Sequence, residues 1–270
     1  MSQPNNTFWD HLEVLRAAVL RSLAVVCAMA VVAFLLKDFV FETIVFGPTR
    51  YDFPTFRFFS LITSILPEGV SVDTSIHPVK IISTRLSAQL LTHLSVSFWA
   101  GVIVSVPYIT GELWFFVKPA LYQGERKNIL KSLMYSSILF YMGVLTAYYL
   151  ILPLSVNFLG NYHVSPDIDN LISIDSYFDT LVTLCLSTGI SFELPIVTYF
   201  LAKVGIVSHT FMRTHRKHAF LLVLVLAAMI TPSTDIFTMF LTALPLQIVY
   251  EIGVATAKAA ERVSAMPIQK

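Results

Sequence analysis

The stretch 114–128, WFFVKPALYQGERKN, joins two long apolar runs through a short polar turn. The first run ends at Val117, and Pro119 and Gly124 follow closely. Proline interrupts a helix and glycine commonly ends one. A charged cluster at 125–127 then precedes the next apolar run. The pattern predicts two consecutive helices joined by a tight, charged turn.

The composition is that of a membrane protein. Of the 270 residues, 56% are hydrophobic and only 13% are charged, whereas about a quarter are charged in ordinary soluble domains. The net charge of +1 provides no overall field for nucleic acid. Cys27 and Cys185 lie in apolar runs, and no Cys or His spacing typical of a metal or redox site occurs. We therefore expect no metal and no cofactor.

Six predominantly apolar runs predict membrane-spanning helices. They cover about 17–36, 91–117, 132–152, 177–202, 219–230 and 236–255. The fifth is short, because about 12 residues of helix extend roughly 18 Å against a hydrocarbon core of about 30 Å. We expect one all-α polytopic membrane domain over 1–270, with short fifth and sixth helices and a long outer loop at 37–90.

The basic residues predict the orientation of these helices. With the N-terminus inside, two thirds of the 18 Lys and Arg residues fall in cytoplasmic segments, as the positive-inside rule requires. The second outer loop, about 154–176, has no Lys or Arg. An even number of spans then places both termini in the cytoplasm.

Charges within apolar runs are candidate functional residues, because a central charge costs about 2.5–3.5 kcal/mol even on insertion scales. Glu193 lies in the fourth span with Phe192 and Pro195, in the segment SFELP. It either faces a cavity or partner helix, or is a neutral acid hydrogen-bonded within the bundle. Pro195 is expected to kink this helix. Arg21 is expected to snorkel to the inner surface, and Glu112 and Glu251 are interpreted as interfacial.

Asp235 precedes the sixth span, and stabilisation of that helix N-terminus is at least as good an interpretation as a ligand role. On the inner side, Glu13 and Glu125 are the principal acids. A carboxylate at the membrane surface can bind a guanidinium bidentately. A Glu beside basic residues also forms local ion pairs worth at most about 1 kcal/mol, and the residues alone leave both interpretations open.

Catalysis is disfavoured. The seven His residues are scattered, and no Ser/His, paired-Asp or HExxH constellation lies in the spans. A small-solute transporter or channel subunit is the alternative function, since it would explain Glu193 and kinked helices. A purely structural scaffold also stays open.

Seven segments, in order along the chain, resemble motifs of the TatC family, the core membrane subunit of the twin-arginine protein translocase. They are HLEVLR at 11–16, FGP at 46–48, WFFVKPALYQGERK at 114–127, FYMGVLTAYY at 140–149, SFELP at 191–195, ITPSTD at 230–235 and LPLQIVYEIG at 244–253.

The resemblance implies a receptor that binds twin-arginine signal peptides of folded precursor proteins. It implies a concave, glove-like bundle that works in an oligomeric complex with TatA- and TatB-like single-span proteins. Transport would use the proton-motive force and no nucleotide, and the protein would lie in the bacterial cytoplasmic (inner) membrane.

The resemblance also assigns residue roles. Glu125 would contact the arginine pair, with Phe116 beside it and Glu13 and Arg16 contributing from the N-terminal motif. Glu193, Phe192 and Pro195 would line an intramembrane groove. Structural or partner roles would fall to Pro48, Pro119, Leu121 and Asp235.

The sequence departs from the family at three places, one of which is Ser87-Ala88-Gln89, where many members carry an acidic, aromatic element. The family has Glu immediately before Leu-Arg, where this chain has Val14, and Glu13 lies one place earlier, rotated about 100° on a helix. The first outer loop is also longer than is usual in the family, without a clear match over about 50–80.

Overall fold

Helices account for most of the chain in the computed structural model, which describes residues 8–50, 52–65, 81–117, 129–163, 165, 170–231 and 235–264. Contacts divide the chain into two units. The first comprises 1–37 with 93–138, and the second comprises 38–92 with 139–270. The long helices supply both units, since residues 88–117 and 129–146 each pass from one unit into the other.

The α-helices are α1 Phe8–Leu35, α2 Lys37–Phe39, α3 Pro54–Ile65, α4 Ala88–Val117, α5 Ile129–Thr146, α6 Leu152–Asn161, α7 Ile174–Ser191, α8 Leu194–Lys203, α9 His209–Thr214, α10 Arg216–Ile230 and α11 Ile236–Ser264. Wider π-helical turns cover Val40–Val45 and Ala147–Ile151, and a 3-10 turn covers Gly47–Thr49. Two short strands, β1 Ile81–Ile82 and β2 Ile172–Ser173, pair in parallel with Ile81 opposite Ile172.

Short polar side chains begin several of these helices. The Ser173 hydroxyl accepts from the Ser176 N–H at the start of α7, and the Ser208 hydroxyl accepts from the Phe211 N–H at the start of α9. Such caps satisfy a backbone donor that has no partner within the helix.

In the first unit, α1 and α4 run antiparallel in close contact. The ring of Phe34 stacks on His93, with centroids 4.1 Å apart. Midway, a Cβ added to Gly101 would lie 2.6 Å from the Ala30 backbone nitrogen and 2.9 Å from the Val26 carbonyl oxygen. Only glycine permits this backbone approach, and small residues are typical where helices associate within a membrane.

In the second unit, α8 and α11 pack along each other, and Ala202, Met212, Val254, Ala257 and Ala260 form a buried cluster there. Gly143 on α5 is held against α7, where an added Cβ would lie 2.8 Å from the Gly189 Cα. Small side chains therefore lie at these two helix contacts, as expected where helices pack closely in lipid, while large side chains such as Tyr177 and Leu184 fill other parts of the interior.

Five helical segments in the described residues are long and apolar enough to cross a membrane. They are Leu12–Leu35, Ala88–Phe116, Met134–Asn161, Ile174–Lys203 and Ile236–Glu261. Their outward faces carry many exposed large apolar side chains, which suits contact with lipid. The fifth span expected from the sequence falls in α10, which has 15 residues, and a count of six spans stays a prediction.

Candidate functional site

An ion pair joins α1 to α4 in the first unit. The Arg21 guanidinium donates from Nε to Oε1 of Glu112 at 2.9 Å and from Nη2 to Oε2 at 2.7 Å. The Tyr108 hydroxyl donates to Oε1 of the same carboxylate at 2.9 Å. The Glu112 side chain is 14% exposed and that of Arg21 is 55% exposed, so the acid is shielded while the base reaches the surface of the unit.

The sequence analysis treats Arg21 and Glu112 separately, whereas the structure joins them in a bidentate ion pair. Their depth in the predicted spans is a sequence signal for this pair, because each lies about one turn inside the inner end of its span. Two opposite charges at equal depth on consecutive antiparallel spans face each other if the helices pack on that side. The spacing does not say which sides pack.

The ion pair also serves as a reference for the positions of two predicted site residues along α1 and α4. Phe116 lies four residues beyond Glu112, about 6 Å along α4, and Arg16 lies five residues from Arg21, about 7.5 Å along α1. Because the helices are antiparallel, both steps lead toward the same end. Arg16 is exposed and Phe116 is half-buried, and they lie at similar depth at this end of the unit.

Glu13 and Val14 are both exposed in the N-terminal motif. Val14, Ala18 and Arg21 are spaced i, i+4 and i+7, which places them on one stripe of α1. The stripe faces the protein at Ala18, which is 6% exposed, and reaches α4 through Arg21, whereas Val14 is 52% exposed. Glu13 is exposed and lies about 100° away from Val14 around the helix. Pro119, Leu121 and Glu125 lie outside the described residues, and their roles stay predictions.

In the second unit, Glu193 lies at a break between two helices. The helix α7 ends at Ser191 and α8 begins at Leu194, with Pro195 in its first turn, a position that proline favours. The expected kink within one helix is thus a two-residue turn between helices. Phe192 packs against α5, where an added Cβ on Gly143 would lie 2.8 Å from its ring, and Oε1 of Glu193 is buried.

The carbonyl that Pro195 presents is used by α11. Thr256 Oγ1 donates to the Pro195 carbonyl oxygen at 2.9 Å, and Thr198 Oγ1 donates to it at 3.0 Å. The two hydroxyls lie 3.3 Å apart. This polar contact holds the Glu193 turn against α11.

Pro48 is fully buried in the 3-10 turn that follows the π-helical turn Val40–Val45. Two tyrosines hold this segment. The Tyr177 hydroxyl donates to the Val45 carbonyl oxygen at 2.6 Å, and the Tyr148 hydroxyl donates to that of Ile44 at 2.8 Å. The place of Pro48 is therefore structural in the second unit.

Asp235 caps α11, because its Oδ1 accepts from the Thr238 N–H at 2.6 Å. This agrees with the helix-stabilising interpretation of the sequence. Arg216 and Glu251 form a second ion pair at 2.6 Å between α10 and α11, with side chains 49% and 40% exposed. No group of three His, Cys, Asp or Glu side chains that could hold a metal occurs within the described ranges.

Long apolar helices, an ion pair inside the membrane-spanning segments and a buried acid at a helix break define a polytopic α-helical membrane protein. Comparison with known proteins is more specific. The family model for Sec-independent protein translocase protein (TatC) matches residues 10–245. This chain belongs to the TatC family.

Relatives and a solved structure agree along nearly the whole chain. It is 36% identical to the translocase protein TatC of Blattabacterium sp. subsp. Periplaneta americana over 92% of this chain and 93% of the relative. It is 32% identical to that of Deinococcus radiodurans, over 93% and 85% respectively. The crystal structure of a twin-arginine translocase receptor, TatC, matches with a TM-score of 0.71 at 30% identity, covering 93% of this chain and 99% of that one.

These matches assign the role of core membrane subunit of the twin-arginine translocase, a protein transport system that includes other Tat subunits. They favour this role over a small-solute transporter or channel subunit. The resemblance expected from the seven sequence motifs is confirmed.

Proposed function

We propose that this protein is the translocase receptor for twin-arginine signal peptides of folded precursors. The observation that carries the proposal is the placement of Arg16 and Phe116 at similar depth, at the same end of α1 and α4. Glu125 follows Phe116 by nine residues in the sequence. A carboxylate there would receive the arginine pair bidentately.

Glu13 is the candidate for a second carboxylate, since the family position is taken by Val14. Its exposure leaves it available to a peptide, although it lies off the stripe that faces the protein. The apolar part of the signal would follow a groove that includes Glu193, Phe192 and Pro195. The buried Oε1 of Glu193 supports a polar contact within the membrane-spanning region.

We further propose the setting in which the receptor works. The chain forms one polytopic, concave domain of six spans in the bacterial inner membrane, with both termini in the cytoplasm. TatA- and TatB-like single-span proteins join it in an oligomeric complex, and the proton-motive force drives export. Pro48, Pro119, Leu121 and Asp235 maintain the loops and helix ends that this assembly uses. Membership of the TatC family supports this view.

Binding of a synthetic twin-arginine signal peptide to the purified protein tests the receptor function. Wild type should bind it more tightly than the same peptide with two lysines, because an ammonium cannot make the bidentate contact. Glu125→Gln should weaken binding by about 10- to 100-fold, the equivalent of about 1.5–3 kcal/mol for charge-assisted hydrogen bonds.

Glu13→Gln, measured in parallel, shows whether the shifted acid takes part. Glu42→Gln is the control, because Glu42 is an exposed acid in the outer π-helical turn. Equal affinity of wild type for the arginine and lysine peptides would contradict the receptor function. Unchanged binding by Glu125→Gln alone would contradict only the assignment of Glu125.

A further inference from the structure

We propose that the Arg21–Glu112 ion pair is a positioning device, which sets the register of α1 on α4 and thereby the spacing of the signal-peptide site. The inference rests on the proposed receptor function. Neither residue belongs to the motif residues assigned to peptide contact. Their role is to hold the helix ends that carry those residues.

The first step is the distribution of contacts along the two helices. At one end, Phe34 stacks on His93, and the His93 Nε2 lies 3.3 Å from the Phe34 carbonyl oxygen. In the middle, Gly101 meets the backbone of α1 at Ala30. That contact brings the axes close but is not directional, because a glycine and an alanine present smooth surfaces.

The second step is the geometry of the pair itself. A guanidinium and a carboxylate that share two parallel hydrogen bonds fix both distance and orientation. The Tyr108 hydroxyl, one turn before Glu112, fixes the carboxylate from its own helix at 2.9 Å. Arg21 therefore reaches an acid that cannot rotate freely, and α1 cannot slide or turn on α4 without breaking at least one bond.

The third step concerns what lies beyond the pair. On α4 the next turn ends in Phe116, and on α1 the next two turns carry Arg16 and Glu13. A slip of one residue would move these groups about 1.5 Å along the helix and rotate them about 100°. Bidentate recognition of arginine is sensitive to such a displacement, whereas a point-charge contact with lysine is much less so.

The membrane makes the pair mutually dependent. Arg21 lies within the candidate span Leu12–Leu35 and Glu112 within Ala88–Phe116. An isolated charge in such a segment is costly, so loss of one partner leaves the other seeking water or headgroups. We expect the inner end of α1 to shift on α4 in that case.

The test measures the affinities of four proteins for the twin-arginine peptide and for its twin-lysine variant. The proteins are wild type, Arg21→Gln, Glu112→Gln and a double variant that exchanges the charges, Arg21→Glu with Glu112→Arg. Each single variant should lose about tenfold in affinity for the arginine peptide and much less for the lysine peptide, so that arginine selectivity falls. The exchanged pair should restore selectivity to within about threefold of wild type.

The Arg216–Glu251 pair of α10 and α11 supplies the control, because it also joins an arginine to a glutamate of another helix, through one hydrogen bond at a similar distance. Arg216→Gln and Glu251→Gln should leave both affinities unchanged. Thermal unfolding of every variant is recorded in the same detergent.

Three results would overturn the proposal. One is unchanged selectivity in both single variants. Another is an exchanged pair that binds as poorly as the singles. The third is an equal loss of affinity for both peptides that increases with the loss of thermal stability. Such a result would indicate a general structural role for the pair. If wild type itself fails to distinguish arginine from lysine, the receptor function has failed instead, and the two failures are thus separable.

Discussion

At the scale of single residues, Tyr177 is a buried anchor for the π-helical turn Val40–Val45. It is 2% exposed and donates its hydroxyl hydrogen to the Val45 carbonyl oxygen at 2.6 Å. Gly47 lies close to the second tyrosine, because an added Cβ would lie 2.9 Å from the Tyr148 hydroxyl oxygen and would require that ring to shift. The turn that contains Pro48 is therefore shaped by two phenols and one glycine.

Replacement Tyr177→Phe should lower the free energy of unfolding by about 1–3 kcal/mol. The change removes one hydroxyl and keeps the ring, so the loss reports a buried carbonyl left with one hydrogen bond fewer. Denaturation of the purified protein in detergent, followed by circular dichroism, measures it. Tyr162→Phe is the control, since Tyr162 is 62% exposed, and an equal effect from both would contradict the anchoring role.

The sequence identified local residue roles more readily than distant ones. The cap formed by Asp235 was foreseeable, because a short acidic residue directly before an apolar run is a common helix start. Tyr177 and Val45 are separated by 132 positions, and Arg21 and Glu112 by 91. No periodicity within a span connects such partners. Equal depth in consecutive spans, as for Arg21 and Glu112, does not say which helix faces pack, so the packed structure is needed to identify these contacts.

At the scale of helices, α8 and α11 are joined by a hydroxyl contact in addition to the buried apolar cluster that contains Ala202 and Ala257. The single hydroxyl hydrogen of Thr256 is shared between the carbonyl oxygens of Pro195 and Gly253, which both lie 2.9 Å from Thr256 Oγ1. Within a membrane the hydrophobic effect contributes little between helices, so close packing and hydrogen bonds carry the association. The contact falls at the carbonyl of Pro195, two residues after Glu193.

Thr256→Val should lower the free energy of unfolding by about 0.5–1.5 kcal/mol, the range of hydrogen bonds between membrane helices. The side chain keeps its volume and loses its donor. Thr256→Ser is the matched control, because it keeps the hydroxyl and should stay closer to wild type. If serine destabilises as much as valine or more, the methyl group and not the hydroxyl is responsible. Unfolding in mixed detergent micelles distinguishes these outcomes.

Five of the six predicted apolar runs overlap helical segments long and apolar enough to cross a membrane, and the runs did not predict where helices end. The prediction of a short sixth helix is wrong, because α11 has 29 residues. The helix α1 begins at Phe8, well before the predicted apolar start at 17, and α11 continues to Ser264. Polar turns beyond the membrane give no hydropathy signal. The break at Glu193 also lies inside one apolar run, where Pro195 indicates a disturbance and does not say whether the helix bends or ends.

At the scale of the whole molecule, the decisive question is whether α10 crosses the membrane. Its 15 residues extend roughly 22 Å, less than the hydrocarbon core of about 30 Å. A short helix can still span where the bilayer thins or neighbours complete its ends. The number of spans decides on which side of the membrane the C-terminus lies. Labelling of the loop after α10 and of the C-terminal segment determines this number.

Single cysteines at 163, 233 and 269, introduced after Cys27→Ala and Cys185→Ala, should show six spans. An impermeant maleimide applied to spheroplasts should label His163→Cys and Ser233→Cys, and should label Gln269→Cys only after permeabilisation. If α10 does not cross, Ser233→Cys becomes protected and Gln269→Cys becomes reactive.

Protection of His163→Cys would show that the whole orientation is the reverse of the predicted one. Because Glu125 and His163 flank the third span, that result would place Glu125 outside, where no signal peptide arrives before export, and the receptor site would have to be sought elsewhere.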